Sequence, residues 1–297
     1  MTVPDILRKN LRLPVMAAPM FIVSHPLLVI EQCKAGVIGS FPSLSARFEA
    51  QFGEWLTEIE EALAAHDAES PDRPAAPIAV NLIVHRSNAR LDHDLALCVA
   101  HKVPIVVTSL GAVEEVNAAI HSYGGIVLHD VINVHHARKA VSQGADGLIA
   151  VAAGAGGHAG TLSPFALVQE IRHWFDGPLL LSGSIATGRA IRAAQIMGAD
   201  LACIGSPFIA TAGARASDVY KAMIVESSAA DFVYSNFFSG VHGNYLRPSI
   251  VAQGLDPDDL PISDPSYMDM SSSRTESVEG NLGRWTWDWR RVFGSAC

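Results

Sequence analysis

Residues 179–188 read LLLSGSIATG, and residues 201–208 read LACIGSPF. In each stretch an aliphatic run of strand length gives way to a turn of small residues, and the turn opens a segment with helical spacing. Such a turn gathers backbone N–H groups and a helix N-terminus at one place, an anion site that needs no basic side chain. Two such turns predict a ligand that carries a phosphate.

The same unit recurs upstream. Aliphatic or β-branched runs stand at Pro14–Ala18, Val37–Phe41, Ile78–Ile83, Pro104–Ser109, Ile126–His129 and Gly147–Val151, before Leu179–Ser182 and Leu201–Gly205. They show little polar alternation, as expected of parallel strands covered on both faces. The segments Asn133–Gln143 and Gly188–Met197 have helical spacing and stop at Gly144 and Gly198, where a C-terminal glycine belongs. Eight strand–helix units within roughly 200 residues predict an α/β fold, a closed (β/α)8 TIM barrel, with an open doubly wound sheet as the competing arrangement. Barrel enzymes place phosphate sites after the seventh and eighth strands, where the two quoted turns fall. The barrel is assigned to residues 1–226, and residues 227–297 to a C-terminal extension packed on it.

Two regions break the rhythm. Glu69–Pro77 (ESPDRPAAP) reads as a surface connection after the second helix. Beyond Ser227, Ser235–Ile250 mixes aromatics, glycine and histidine, a loop rich in proline, aspartate and serine follows, and RWTWDWRRVF (284–293) sets three tryptophans at alternate positions. That last stretch reads either as an appendage making a subunit contact, since Trp and Arg favour interfaces, or as a tail closing the barrel floor.

Composition narrows the function classes. With 297 residues, 49% apolar and 17% charged, the chain can bury one large core. A net charge of -9 argues against nucleic acid, which demands a basic face. No apolar run approaches the roughly 20 residues of a membrane helix. The opening MTVPDILRKNLRLP lacks the apolar stretch of a signal peptide, so a cytoplasmic location is expected. Cys33, Cys98, Cys203 and Cys297 lie far apart without CxxC spacing, and read as three buried small hydrophobes and a terminal thiol. Most of the twelve histidines stand alone; the neighbours His135 and His136 would point about 100° apart on a helix, so no metal is predicted.

The remaining candidates lie at strand ends. Gly154–Gly160 (GAGGHAG) follows the sixth run, and its glycines let the backbone pass close to a ligand. Within it His158 reads as a general base, a donor to an anionic substrate, or a structural hydrogen-bond donor. After the first run, Ala18 and Pro19 lead to Met20, which either meets a cofactor ring or packs. Asn81 is polar inside an apolar run and either satisfies the barrel interior or binds a ligand amide. His129 and Asp130 close the fifth run and bond either a ligand or each other.

Taken in order, LPVMAAPM (13–20), AVNL (79–82), GGHAG (156–160), LSGSIATG (181–188) and CIGSPFIAT (203–211) resemble the nitronate monooxygenase family, formerly the 2-nitropropane dioxygenases. The resemblance covers residues 10–250. It implies FMN as cofactor, with the phosphate held by Ser182, Gly183, Ser184, Gly205 and Ser206. It sets Gly156 and Gly157 against the flavin, and Ala18, Pro19, Met20 and Asn81 against its ring system or ribityl chain, with His129 and Asp130 as further contacts. It makes His158 the residue that abstracts the α-proton of a nitroalkane or binds the nitronate, before oxygen completes oxidation to a carbonyl compound and nitrite. Small-molecule substrate and O2 are the implied company, and a homodimer is a candidate assembly that the sequence leaves open. Two positions depart from the family pattern: Asp130 stands where a lysine follows the strand-five histidine, and Ser184 is the third residue of an SGG turn. The first removes a positive charge that could stabilise reduced flavin.

Competing functions on the same scaffold are an NAD(P)H-dependent flavin reductase, of the enoyl-acyl carrier protein reductase or quinone reductase type, and a non-enzymatic phosphate-ligand binder. The chain has no Rossmann GxGxxG, although flavin barrels bind nicotinamide without one. The acidic charge is unhelpful for docking an acidic carrier protein. Yellow colour in the purified protein separates the flavin readings from the last.

Overall fold

The structure, a computed structural model, describes residues 3–263. The tryptophan-rich stretch 284–293 and Cys297 lie outside the described residues. In chain order the strands are β1 (Val15–Ala17), β2 (Gly39–Pro42), β3 (Ile78–Ile83), β4 (Ile105–Ser109), β5 (Ile126–Val131), β6 (Gly147–Val151), β7 (Gly157–His158), β8 (Leu179–Ser182), β9 (Leu201–Ile204), β10 (Phe232–Ser235) and β11 (Gly243–Leu246). The helices are α1 (Pro26–Lys34), α2 (Glu49–Glu69), α3 (Leu91–Ala100), α4 (Glu114–His121), α5 (Val134–Ser142), α6 (Pro164–Arg172), α7 (Gly188–Met197), α8 (Ser206–Ile209), α9 (Asp218–Glu226) and α10 (Arg247–Val251).

Eight strands pair in parallel in the order β1-β9-β8-β6-β5-β4-β3-β2, so the runs read from sequence form a TIM barrel with helices between them. The last seam is thin. β1 and β2 meet through one parallel bridge, Met16 with Ile38, with Ala17 N–H donating to Ile38 O (2.8 Å) and Ile38 N–H to Val15 O (3.1 Å). Ser40 Oγ–H adds a side-chain bond to Ala17 O (2.6 Å).

Helix boundaries follow local chemistry. Asn133 caps α5 by accepting the N–H of His136, and α7 ends on Gly198 at φ 115, the left-handed conformation glycine adopts freely. Gly144-Ala145-Asp146 and Gly198-Ala199-Asp200 are a short repeat that sequence reading passed over. Each aspartate precedes a strand and accepts an N–H near the start of the strand beside it: Asp146 from Val127 (2.7 Å), Asp200 from Leu179 (2.8 Å).

The barrel interior is a packed apolar core, as in other closed barrels. Met16, Ala79, Val107, Leu128, Ile149, Leu180 and Cys203 fill it, and Leu7, fully buried, plugs its N-terminal end with its neighbour Ile6. The outward faces pack on the helices, with Ala137, Leu167 and Ile171 of α5 and α6 against β5, β6 and β8. Cys33, Cys98 and Cys203 are buried free thiols, and burial pushes Cys33 and Cys203 up to about 12. No helix among the described residues is long and apolar enough to cross a membrane.

Candidate active site

Side chains alternate across a strand, so the inward positions above the apolar core can be read from register. Above Ala79, Val107, Leu128 and Leu180 stand Asn81, Ser109, Asp130 and Ser182. The interior thus turns polar at the C-terminal mouth, the end where barrels carry their ligands. Just beyond β9 the position above Cys203 is Gly205; a Cβ there would lie 3.3 Å from Met20 Sδ and 3.5 Å from Ala18 Cβ. Ala18, Met20 and Gly205 therefore share one part of the mouth, with Pro19 between the first two.

Three loops close on one another beside it. Gly183, at φ 130, lies so near the preceding loop that a Cβ would sit 2.9 Å from Ala153 O. An added Cβ at Gly154 would overlap Ser184 Oγ. A Cβ at Gly156 would stand 3.5 Å from Ser206 Oγ, which sets the sixth loop against the first turn of α8. Side chains larger than hydrogen would fill this space, whereas a Cβ at Gly188, in the first turn of α7, would meet nothing within 4 Å. A narrow, backbone-lined recess beside an open helix N-terminus fits a phosphate ester. Ser184 contributes differently from the expectation. Its φ of 55 is left-handed, the geometry a glycine would supply, and its N–H is already donated to Gly154 O (3.0 Å).

His158 lies in β7, outside the barrel ladder, and pairs with Gly243 of β11. The hairpin β10–β11 clamps the whole sixth loop: Asn244 Nδ2 donates to Ala155 O (2.7 Å), Ala159 N–H to His242 O (3.2 Å) and Tyr234 Oη–H to Ala159 O (3.0 Å). Ser239 Oγ stands 2.8 Å from His158 Nε2 and gives its own proton to Val241 O (3.1 Å). With the Ser239 proton on Val241 O, Nε2 of His158 is the donor to Ser239. In that arrangement the neutral imidazole carries its proton on Nε2 and its lone pair on Nδ1. Desolvation lowers the pKa of His158 from the usual imidazole value although the residue keeps an exposed edge, so the ring is uncharged near neutral pH. Tyr245 packs edge-on against Phe238 (4.4 Å between centroids), with its hydroxyl 3.5 Å from Ser239 Oγ. Neither Ser239 nor Tyr245 carries a motif; only the aromatic, glycine and histidine content of Ser235–Ile250 hints at them.

At the mouth formed by β3, β4 and β5, Asn81 Nδ2 donates to Val107 O (3.1 Å) and to Ser109 Oγ (2.7 Å), and Ser109 Oγ–H donates to Asp130 Oδ2 (2.6 Å). Burial pushes Asp130 up to about 6, against the pull of the Ser109 hydrogen bond. His129 is not with them. β5 continues to Val131, so His129 lies within the strand and turns to the helix-facing side, where its Nδ1 meets Thr108 Oγ1 (2.7 Å). Burial first, then His136 and Lys139 of α5, push it down to about 4. His129 and Asp130 therefore bond different partners and not each other, because neighbouring strand residues face opposite ways.

A family model described as nitronate monooxygenase matches residues 6–266. Among curated proteins, the chain is 25% identical over 238 residues to the (3aS,4S,5R,7aS)-5-hydroxy-7a-methyl-1-oxo-octahydro-1H-indene-4-carboxyl-CoA dehydrogenase of Rhodococcus jostii, covering 80% of this chain and 64% of that one. It is 26% identical over 265 residues to the nitronate monooxygenase of Neurospora crassa, covering 78% of this chain and 70% of that one. A solved structure of FabK from Thermotoga maritima superposes with a TM-score of 0.71 at 26% identity, covering 83% of this chain and 75% of that one. The chain spans about half to two thirds of the length of the first curated relatives it matches.

Proposed function

Because the chain belongs to the nitronate monooxygenase family, we propose that it is an FMN-dependent oxidoreductase that converts alkyl nitronates, and the nitroalkanes that give rise to them, to carbonyl compounds and nitrite with O2. The residues present fit FMN: the recess at Gly183, Ser184, Gly205 and Ser206 and the open start of α7 suit its phosphate, and Ala18, Met20, Asn81 and Gly156 border the space for its ring. When bound, FMN supplies the acceptor for the substrate's electrons and their route to oxygen. His158 does the proton work. Its Nδ1 lone pair takes the α-proton of a neutral nitroalkane, and the resulting imidazolium pairs with the nitronate anion. Ser239 fixes the tautomer, and the described hairpin, proposed as part of an extension packed on the barrel, holds the ring in place.

The observation that carries this reading is the 2.8 Å contact of Ser239 Oγ with His158 Nε2, in a glycine loop beside Ser206, with Val241 O placed to take the Ser239 proton. Anaerobic stopped-flow mixing of the FMN-loaded protein with a nitronate, with NADH and with NADPH tests it. Fast bleaching of the flavin by nitronate alone supports the proposal. Bleaching only by a nicotinamide would make the protein a flavin reductase instead, a second reading favoured by the likeness to FabK.

A further inference from the structure

A carboxyl stands in the barrel mouth where nothing in the proton chemistry of His158 uses it. Asp130 is the end of a directed chain: the Asn81 amide donates to Ser109, and Ser109 spends its single proton on Asp130 Oδ2. The chain spans β3, β4 and β5 at the last inward layer. The groups facing Asp130 from the other strands are nearly all uncharged. Ala18 of the first loop, Ser40 of β2, Val151 of β6, Ser182 of β8 and Gly205 beyond β9 carry no titratable side chain, and Cys203 of β9, one layer deeper, is a neutral thiol whose own pKa Asp130 raises. His129 titrates on the far side of the sheet against His136 and Lys139. Among the described residues, no Lys or Arg occupies the inward layer to balance a negative charge arriving there.

We propose that Asp130 stores the proton that balances cofactor reduction: its carboxylate binds one proton from solvent when the ring above it is reduced, and releases it on reoxidation. The inference rests on the FMN reading. Two electrons and one proton delivered to the ring leave it with one negative charge. The carboxylate takes up a second proton on Oδ1, Oδ2 being held by Ser109, so the charge of the site is unchanged. Repulsion between two adjacent anions drives the uptake, since a like charge disfavours the ionised carboxylate. That Asp130 already sits near 6 through burial means a modest added repulsion suffices.

The test is the pH dependence of the midpoint potential of the FMN-loaded protein, read by spectroelectrochemistry. From about pH 6 up to the higher pH at which Asp130 titrates beside the reduced ring, the wild-type slope corresponds to two protons per two electrons, and Asp130→Asn gives one; below about pH 5, with Asp130 protonated before reduction, the two coincide. Ser109→Ala, which removes the bond favouring the carboxylate, keeps the extra proton but moves the pH at which it appears upward. Equal slopes for wild type and Asp130→Asn overturn the proposal, and an unmoved midpoint in Ser109→Ala removes Ser109 from it. A protein that binds no FMN overturns the functional reading as well, whereas FMN bound with equal slopes overturns this proposal alone.

Discussion

Ser239 Oγ lies 2.8 Å from Nε2 of His158, a hydrogen bond across 81 positions of sequence and between two different parts of the fold. The bond decides which nitrogen of the imidazole can act as a base. Replacing His158 by Ala should lower kcat/KM on a neutral nitroalkane by ~100-fold or more, and much less on pre-formed nitronate, because only the first substrate needs its proton removed. Ser239→Ala should cost about tenfold on the neutral substrate and shift the acidic limb of its pH profile, with FMN content unchanged. Steady-state kinetics on the two substrate forms checks both; equal losses on both forms would mean that His158 binds rather than deprotonates.

The hairpin holds His158 through a contact that tolerates no side chain. A Cβ at Gly243 would lie 2.7 Å from Gly157 O. Gly243→Ala should push β11 off β7 at a cost of about 1–3 kcal/mol. The pKa of His158 should then rise toward its ordinary value as the hairpin withdraws from it, an effect visible by NMR titration of the imidazole. An unchanged His158 pKa would show that the desolvation comes from elsewhere.

Ser184 occupies a backbone conformation suited to glycine. Ser184→Gly should stabilise the protein by about 1 kcal/mol through relief of the left-handed φ, and weaken FMN binding, since the Ser184 N–H is already bonded to Gly154 O and the hydroxyl is what the residue offers the phosphate. Thermal melting and flavin titration measure the two effects separately. Gly154→Ala should destabilise the protein, because its Cβ runs into Ser184 Oγ, and Ser184→Gly in the same chain should recover part of the loss.

The neighbours Asp130 and His129 pull the pH dependence of stability in opposite directions. Asp130 titrates higher folded than unfolded, so its contribution favours the fold at low pH and is lost as pH rises from about 4 to about 6. Asp130→Asn should therefore raise the apoprotein Tm at neutral pH and leave it nearly unchanged at about pH 4. His129 titrates lower folded than unfolded, so its contribution is present above its unfolded value near 6.5 and lost as pH falls toward about 4. His129→Asn should flatten that acidic limb. Melting curves across this range distinguish the two residues.

The barrel was legible because its strands are covered on both faces and so spell themselves as unbroken aliphatic runs; Ile78–Ile83, Gly147–Val151 and Leu179–Ser182 agree to the residue. The glycine turns at 183 and 205 were legible for the same reason, since close backbone approach leaves few alternatives. The fifth strand was not, because HDV extends a β-run with polar residues, and stopping at His129 hid the alternation that separates it from Asp130. Ser239 was invisible for a different reason. It acts at long range, through a hairpin whose pairing to β7 has only two residues of register and no turn signal in sequence.

The thin seam between β1 and β2 gives the barrel a weakest stave. Seven junctions are laced by ladders of several residues, and the eighth by a single stitch at Met16 and Ile38. Local opening follows the path of least cohesion, so amide exchange at Ala17 and Ile38 should lead that of the other staves. The stitch lies directly below Ala18 and Met20. Whatever rests on those two residues is also a hoop around the barrel, and its departure should be felt first as breathing along that joint.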